Sequence, residues 1–116
     1  MAVVSDREIL ERAKTRLDRL DLYPRPVAIG RVRVLVVPRA FALPWLRRFD
    51  GYAAWGTILL RSPPGPGDGD LVCHELCHVW QMQHHPVAMP LSYLRTGYAR
   101  NPYERQARDA VETTCD

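Results

Sequence analysis

At 116 residues the chain has the length of one domain, 1–116, large enough to bury a sizeable core. Hydrophobic residues make up 47% and charged residues 25%, as in soluble globular proteins, and no apolar run approaches the ~18 residues that would cross a bilayer, so no membrane partner is expected. The net charge of +3 is mild; it favours acidic partners slightly and does not by itself imply nucleic-acid binding.

Residues 1–6 carry no basic segment followed by an apolar one, so no signal peptide is expected and the predicted location is cytoplasmic. Ser5-Asp-Arg-Glu8 reads as a capping box, with Val4 and Ile9 spaced for a hydrophobic staple across it. Ile9, Leu10, Ala13, Leu17 and Leu20 then follow the helical period, which predicts a first helix over about residues 6–21 with a solvated charged face. Residues 27–37 alternate as a strand, Val32, Val34 and Val36 on one face and Arg31, Arg33 and Leu35 on the other, closed by Pro38. A short helix is expected to start near Pro44. Asp50-Gly51 reads as a turn, and residues 52–60 as a second strand in which Gly56 marks a bulge or a close backbone approach. A Gly/Pro-rich loop over 62–69 follows, with Asp70 placed to cap the next helix.

That helix, expected to run from residue 70 to about 85, holds His74-Glu75-x-x-His78. At about 100° per residue, His74 and His78 lie about 40° apart and one turn apart along the axis, with Glu75 within about 100° of His74. Two imidazoles so placed can hold one metal ion, Zn2+ in this reading, while the glutamate reaches the water bound to it. Val72, Leu76, Val79 and Trp80 form an apolar opposite face suited to burial. The three cysteines, Cys73, Cys77 and Cys115, are an odd number, so no complete disulfide framework is expected. Cys73 and Cys77 read as buried reduced thiols, with a Cys77–Cys115 bridge or a thiolate ligand as alternatives; this usage fits a reducing compartment.

Residues 86–100 read as a long connection with a helical turn around Leu91–Leu94. Asn101-Pro-Tyr-Glu104 then opens a last helix over about 102–113, with Asn101 as N-cap, proline first and glutamate third. A catalytic zinc site takes three protein ligands and leaves one position for water. His84 continues a spacing that resembles the metzincin pattern, but Gln81 stands where that family has glycine. In a continuous helix His84 projects about 120° from His78 and lies ~9 Å further along the axis, and His85 lies ~10 Å down it. Glu104, in the first turn of a separate helix, is the preferred third ligand; Asp109 and Glu112 are further candidates. The alternative for Glu104 is a capping partner for Asn101.

A strand holding Ala53-Ala-Trp55, a Gly/Asp-rich loop, the segment Asp70-Leu-Val-Cys-His-Glu-Leu-Cys-His-Val79 and a glutamate on the next helix together resemble the thermolysin-type gluzincins, zinc peptidases of the zincin class. The whole chain most resembles their minimal single-domain relatives, and Asn101-Pro-Tyr-Glu-Arg-Gln-Ala107 resembles the glutamate helix of small bacterial zincin-like domains. The resemblance covers roughly residues 27–112. It implies an α+β, zincin-like fold: a small twisted mixed sheet with the N-terminal helix and the His-Glu-x-x-His helix packed on it, and the glutamate helix behind. It implies zinc at His74, His78 and Glu104, and an endopeptidase in which Glu75 is the general base for a zinc-activated water. Tyr98, with Tyr93 second, is the candidate donor to the oxyanion. The strand over 52–60 corresponds to the free edge along which an extended peptide or protein substrate would lie. One departure is Arg108, where the larger gluzincins carry an aspartate that orients a ligand histidine.

Two other classes stay open. One is a zinc-binding scaffold module without turnover. The other is a SprT-like nucleic-acid-associated protease, for which Arg95, Arg100, Arg105 and Arg108 would supply a basic patch; with no Cys-x-x-Cys zinc ribbon alongside, those arginines read more simply as a solvated face, and nucleic acid is not the expected partner.

Overall fold

The computed structural model describes residues 5–115, and at residue 66 the backbone alone. In chain order it comprises α1 (Asp6–Asp18), β1 (Arg33–Val36), β2 (Gly51–Ala54), β3 (Thr57–Leu60), α2 (Gly69–His84), α3 (Ala88–Thr96) and α4 (Pro102–Thr114). Short 3-10 turns occupy Ala40–Ala42 and Pro66–Asp68. The architecture is therefore α+β, as expected, with a small mixed sheet. Among the described residues no helix is long and apolar enough to cross a membrane.

The centre of the molecule is α2. Val72, Cys73, Leu76, Cys77, Val79 and Trp80 are all buried, against α1 on one side, α4 on another and β2 and β3 on a third. The first helix thus packs chiefly on α2 and not, as expected, on the sheet. Its Ser5 cap forms, the hydroxyl accepting the Glu8 N–H at 3.1 Å, but the Glu8 carboxylate takes a hydrogen bond from Arg12 at 2.6 Å instead of returning to the cap. The staple falls outside the described residues, because Val4 does. The helix ends at Asp18, three residues short of expectation, where the Asp18 carboxylate accepts the Val27 N–H at 3.3 Å and draws the chain back across the core. The charged face is not wholly solvated. Arg16 donates to Thr114 Oγ1 (3.2 Å), the Val111 carbonyl (3.1 Å) and Asp70 Oδ1 (2.9 Å), joining α1 to α4 and to the first turn of α2. Asp70 is therefore an acid within that first turn, and Asp68 occupies the N-cap position.

The sheet departs most from expectation. Order β1-β3-β2 places β3 in the middle, parallel to β1 and antiparallel to β2. The run over 52–60 is not one strand but a hairpin with the two-residue turn Trp55-Gly56. Trp55 takes φ 51°, the left-handed region such turns need and which tryptophan seldom adopts. It is held there by its backbone N–H on Met82 Sδ (3.3 Å) and its indole N–H on the Pro86 carbonyl (3.1 Å). Gly56 is the second turn residue, and a side chain there would meet nothing nearer than the Arg31 carbonyl at 3.9 Å, so neither bulge nor close approach explains it. The strand expected over 27–37 is reduced to Arg33–Val36; Val27 and Ile29 still bury, but in irregular chain that turns at Gly30-Arg31. Nor does a helix start at Pro44: single hydrogen-bonded turns follow it, and the 3-10 turn lies before it, burying Phe41. Residues 86–100 hold more order than expected, the nine-residue α3.

Candidate metal centre

The two histidines come from α2, a turn apart. Their ring centroids are 4.8 Å apart and Nε2 faces Nε2 at 3.2 Å. Glu104 comes from the first turn of α4, which packs beside α2. Asn101 caps that helix as its sequence predicts, its side-chain oxygen accepting the Tyr103 and Glu104 N–H groups at 2.8 and 3.3 Å. The Glu104 carboxylate is not folded back onto the cap. It bridges the two imidazoles, Oε1 to His74 Nε2 and Oε2 to His78 Nε2, both at 2.8 Å, at 1% side-chain exposure.

His74, His78 and Glu104 each offer one ligand atom, all within 4.8 Å of one another. Ligand atoms about 2.0–2.2 Å from a tetrahedral ion stand about 3.3 Å apart. The two imidazole nitrogens stand 3.2 Å apart and each lies 2.8 Å from one oxygen of the Glu104 carboxylate, so the group is compact enough to close on one ion. Two imidazoles and a carboxylate suit a divalent transition metal. The cluster can therefore hold a metal ion.

His78 is oriented for this. Gln81 Nε2 donates to the Tyr103 carbonyl and to Gln106 Oε1, both at 2.8 Å. A carbonyl can only accept, so the amide orientation is fixed and Gln81 Oε1 must face His78 Nδ1, 2.8 Å away. His78 then carries a proton on Nδ1 and directs Nε2 at the cluster. The chain of contacts continues from Gln106 Oε1 to the Tyr23 hydroxyl at 3.1 Å, tying α2 and α4 to the segment after α1.

No family model, curated protein or solved structure matches the chain.

Burial lowers the pKa of His78, but its Glu104 hydrogen bond and the charges of Glu75 and Glu104 outweigh that and hold it above the ordinary histidine value. Burial raises Glu104, yet the hydrogen bonds from both histidines outweigh it and keep the carboxyl well below the usual carboxylate range. Burial pushes Glu75 up, only partly offset by the neighbouring histidines. Glu75 makes no hydrogen bond among the described residues, and it lines an open cleft of about 410 Å³ together with His74, Tyr98, Gly51, Phe49 and Arg108. Tyr98 and Tyr93 both donate to Glu104, at 2.8 and 3.2 Å.

The remaining candidates lie elsewhere. His84 stacks on Tyr23 with ring centroids 4.5 Å apart, and His85 tilts against Tyr23 and Tyr103. Asp109 and Glu112 are outside the cluster, and all three cysteines are free thiols, Cys73 and Cys77 buried and Cys115 exposed. Arg108 Nε stands 3.8 Å from Glu104 Oε1, so it neighbours the ligand carboxylate without orienting a histidine. The orienting residue, Gln81, was missed in the sequence, where it stood out only as a non-glycine. Its i+3 spacing from His78 was the signal that could have found it.

Proposed function

We propose that the chain is a zinc-dependent metallopeptidase of the zincin class, a minimal gluzincin-like domain that hydrolyses internal bonds of extended peptides. One observation carries the reading: three groups able to ligate a metal converge from two helices, while Glu75, next to His74 on the helix, has no hydrogen-bond partner among the described residues and lies beside the cleft. The fit of the ligand set and the hydrogen-bonded orientation of His78 support it. Zinc bound at His74, His78 and Glu104 would supply Lewis acidity and lower the pKa of its water to about 7. Glu75 takes the proton from the attacking water and returns it to the leaving amine, a role that requires a carboxylate at the cleft with no other partner. Tyr98 lines the same cleft and is our assigned donor to the developing oxyanion.

Substrate is held by the sheet edge. Asp50 accepts the Arg61 N–H at 3.0 Å, so the pairs Tyr52–Leu59 and Ala54–Thr57 are the hydrogen-bonded ones. Gly51 and Ala53 therefore turn their N–H and C=O groups to the free side of β2, where an extended peptide can pair with them. Gly51 lies beside Glu75, which carries a paired peptide over the metal centre.

A metal-holding module without turnover is the second reading, favoured by the commitment of both tyrosine hydroxyls to Glu104. Metal content measured after purification, paired with a broad peptide-cleavage screen, separates the two. The expected result is one zinc per chain and cleavage that Glu75→Gln abolishes while zinc is kept. Equal inactivity of wild type and Glu75→Gln on every substrate leaves the scaffold reading standing, and loss of zinc in Glu75→Gln refutes the ligand assignment.

A further inference from the structure

An unbroken line of aromatic rings leads away from the cleft around the edge strand. Tyr98 meets Phe49 at 4.9 Å between centroids, Phe49 meets Tyr52 at 6.3 Å, and Tyr52 meets Trp45 edge-on at 6.0 Å. Core packing does not account for its outer half: Trp45 is 61% exposed and Tyr52 38%. Such an exposed apolar surface, joined to a binding cleft, invites a ligand.

The pleat fixes what that ligand offers. Gly51 and Ala53 face α2, so Tyr52, between them, faces the opposite side of the sheet. A peptide paired along the free edge of β2 alternates in the same way. The peptide residue directly opposite Tyr52 sends its side chain to the Tyr52 face, within reach of a large ring, while its neighbours point toward the metal helix. Trp45 and Tyr52 present aromatic rings on that side, packed edge-on and exposed, so the contact they offer is chiefly apolar. We propose that Trp45 and Tyr52 form a specificity surface that selects peptides carrying a bulky apolar side chain, aromatic above all, at the position paired with Tyr52. This rests on the peptidase reading and adds to it a substrate class and the residues that choose it.

The test uses the full zinc-loaded chain and a set of unstructured Ser/Gly/Ala octapeptides in which one phenylalanine is moved through every position. The expected result is a preferred register, with kcat/KM raised about tenfold by phenylalanine over serine there, the size of a well-formed aromatic contact. Trp45→Ala and Tyr52→Thr should each lower that phenylalanine-over-serine ratio several-fold, chiefly through KM, and Tyr52→Phe should keep it. Zinc content and far-UV circular dichroism, measured on each variant, distinguish lost selectivity from lost structure. Peptides cleaved with the same selectivity by wild type, Trp45→Ala and Tyr52→Thr would overturn the specificity surface and leave the peptidase standing. A zinc-loaded wild type that neither binds nor cuts any peptide would overturn both.

Discussion

A glutamate at the third position of a helix ordinarily reaches back to the backbone N–H of its cap. In α4 the Asn101 N–H instead turns to the Tyr98 carbonyl at 3.3 Å, which frees Glu104 for His74, His78, Tyr93 and Tyr98. The same residue pair that starts a helix thereby completes a site. Its counterpart on α2 is Gln81, buried to 0% exposure and with both ends of its amide engaged. Replacing it by methionine, close in volume, removes the acceptor that fixes the His78 proton. Gln81→Met should weaken metal affinity about 10–100-fold, read by competition with a chromogenic chelator, with the fold retained; unchanged affinity would show that His78 needs no such partner. The candidate ligands His74 and His78, and Glu75 beside them, were legible because helix geometry and metal chemistry impose a fixed spacing on them, and Glu104 because it opens a separate helix after Asn101-Pro102. Gln81 was less so: its spacing from His78 is local, but the carbonyl and amide that fix its orientation come from α4, which the spacing does not encode.

Among the elements, α2 and α4 stood where the sequence put them, α1 ended early, no helix formed at Pro44, and the sheet departed most. The α2 boundary at His84 follows from Pro86, and α4 from Asn101-Pro102. The hairpin was hidden because its turn is Trp55-Gly56, not the Asn-Gly or Asp-Gly pair that announces such turns, and the conformation of Trp55 is secured by Met82 and Pro86, residues distant in sequence. The short β1 has the same origin: Val27, Ile29 and Val32 bury in the core without pairing, so alternation overstated the strand. The hairpin also decides which backbone groups β2 leaves unpaired. Ala53 has its N–H on the free side of β2, so proline there spares the ladder to β3. Ala53→Pro should lower peptide cleavage by about tenfold or more while zinc content stays at one per chain. Cleavage at the wild-type rate would mean that substrate does not pair with this edge.

For the molecule as a whole, the His74–His78–Glu104 cluster is a clasp between α2, at the centre of the core, and α4, packed against it. A ligand that binds only the folded chain stabilises it by about 4 kcal/mol at a thousandfold excess over Kd. For a domain of this size that raises Tm by on the order of 15 °C. Calorimetry with and without chelator should show this difference, and Glu104→Ala should erase it; a chelator-insensitive wild-type Tm would mean that the clasp carries no folding energy. The distribution of thiols turns the same architecture into a clock. Cys73 and Cys77 are sealed at 0% exposure on the helix that bears the histidines, and burial pushes the Cys77 thiol up to about 12, whereas Cys115 is exposed. An alkylating reagent should therefore label the native chain once, at Cys115, and add a second and third mass increment only as fast as the core opens. Zinc should slow those later increments and leave the first unchanged, so that a mass spectrum taken over time reads how tightly the metal holds the interior shut.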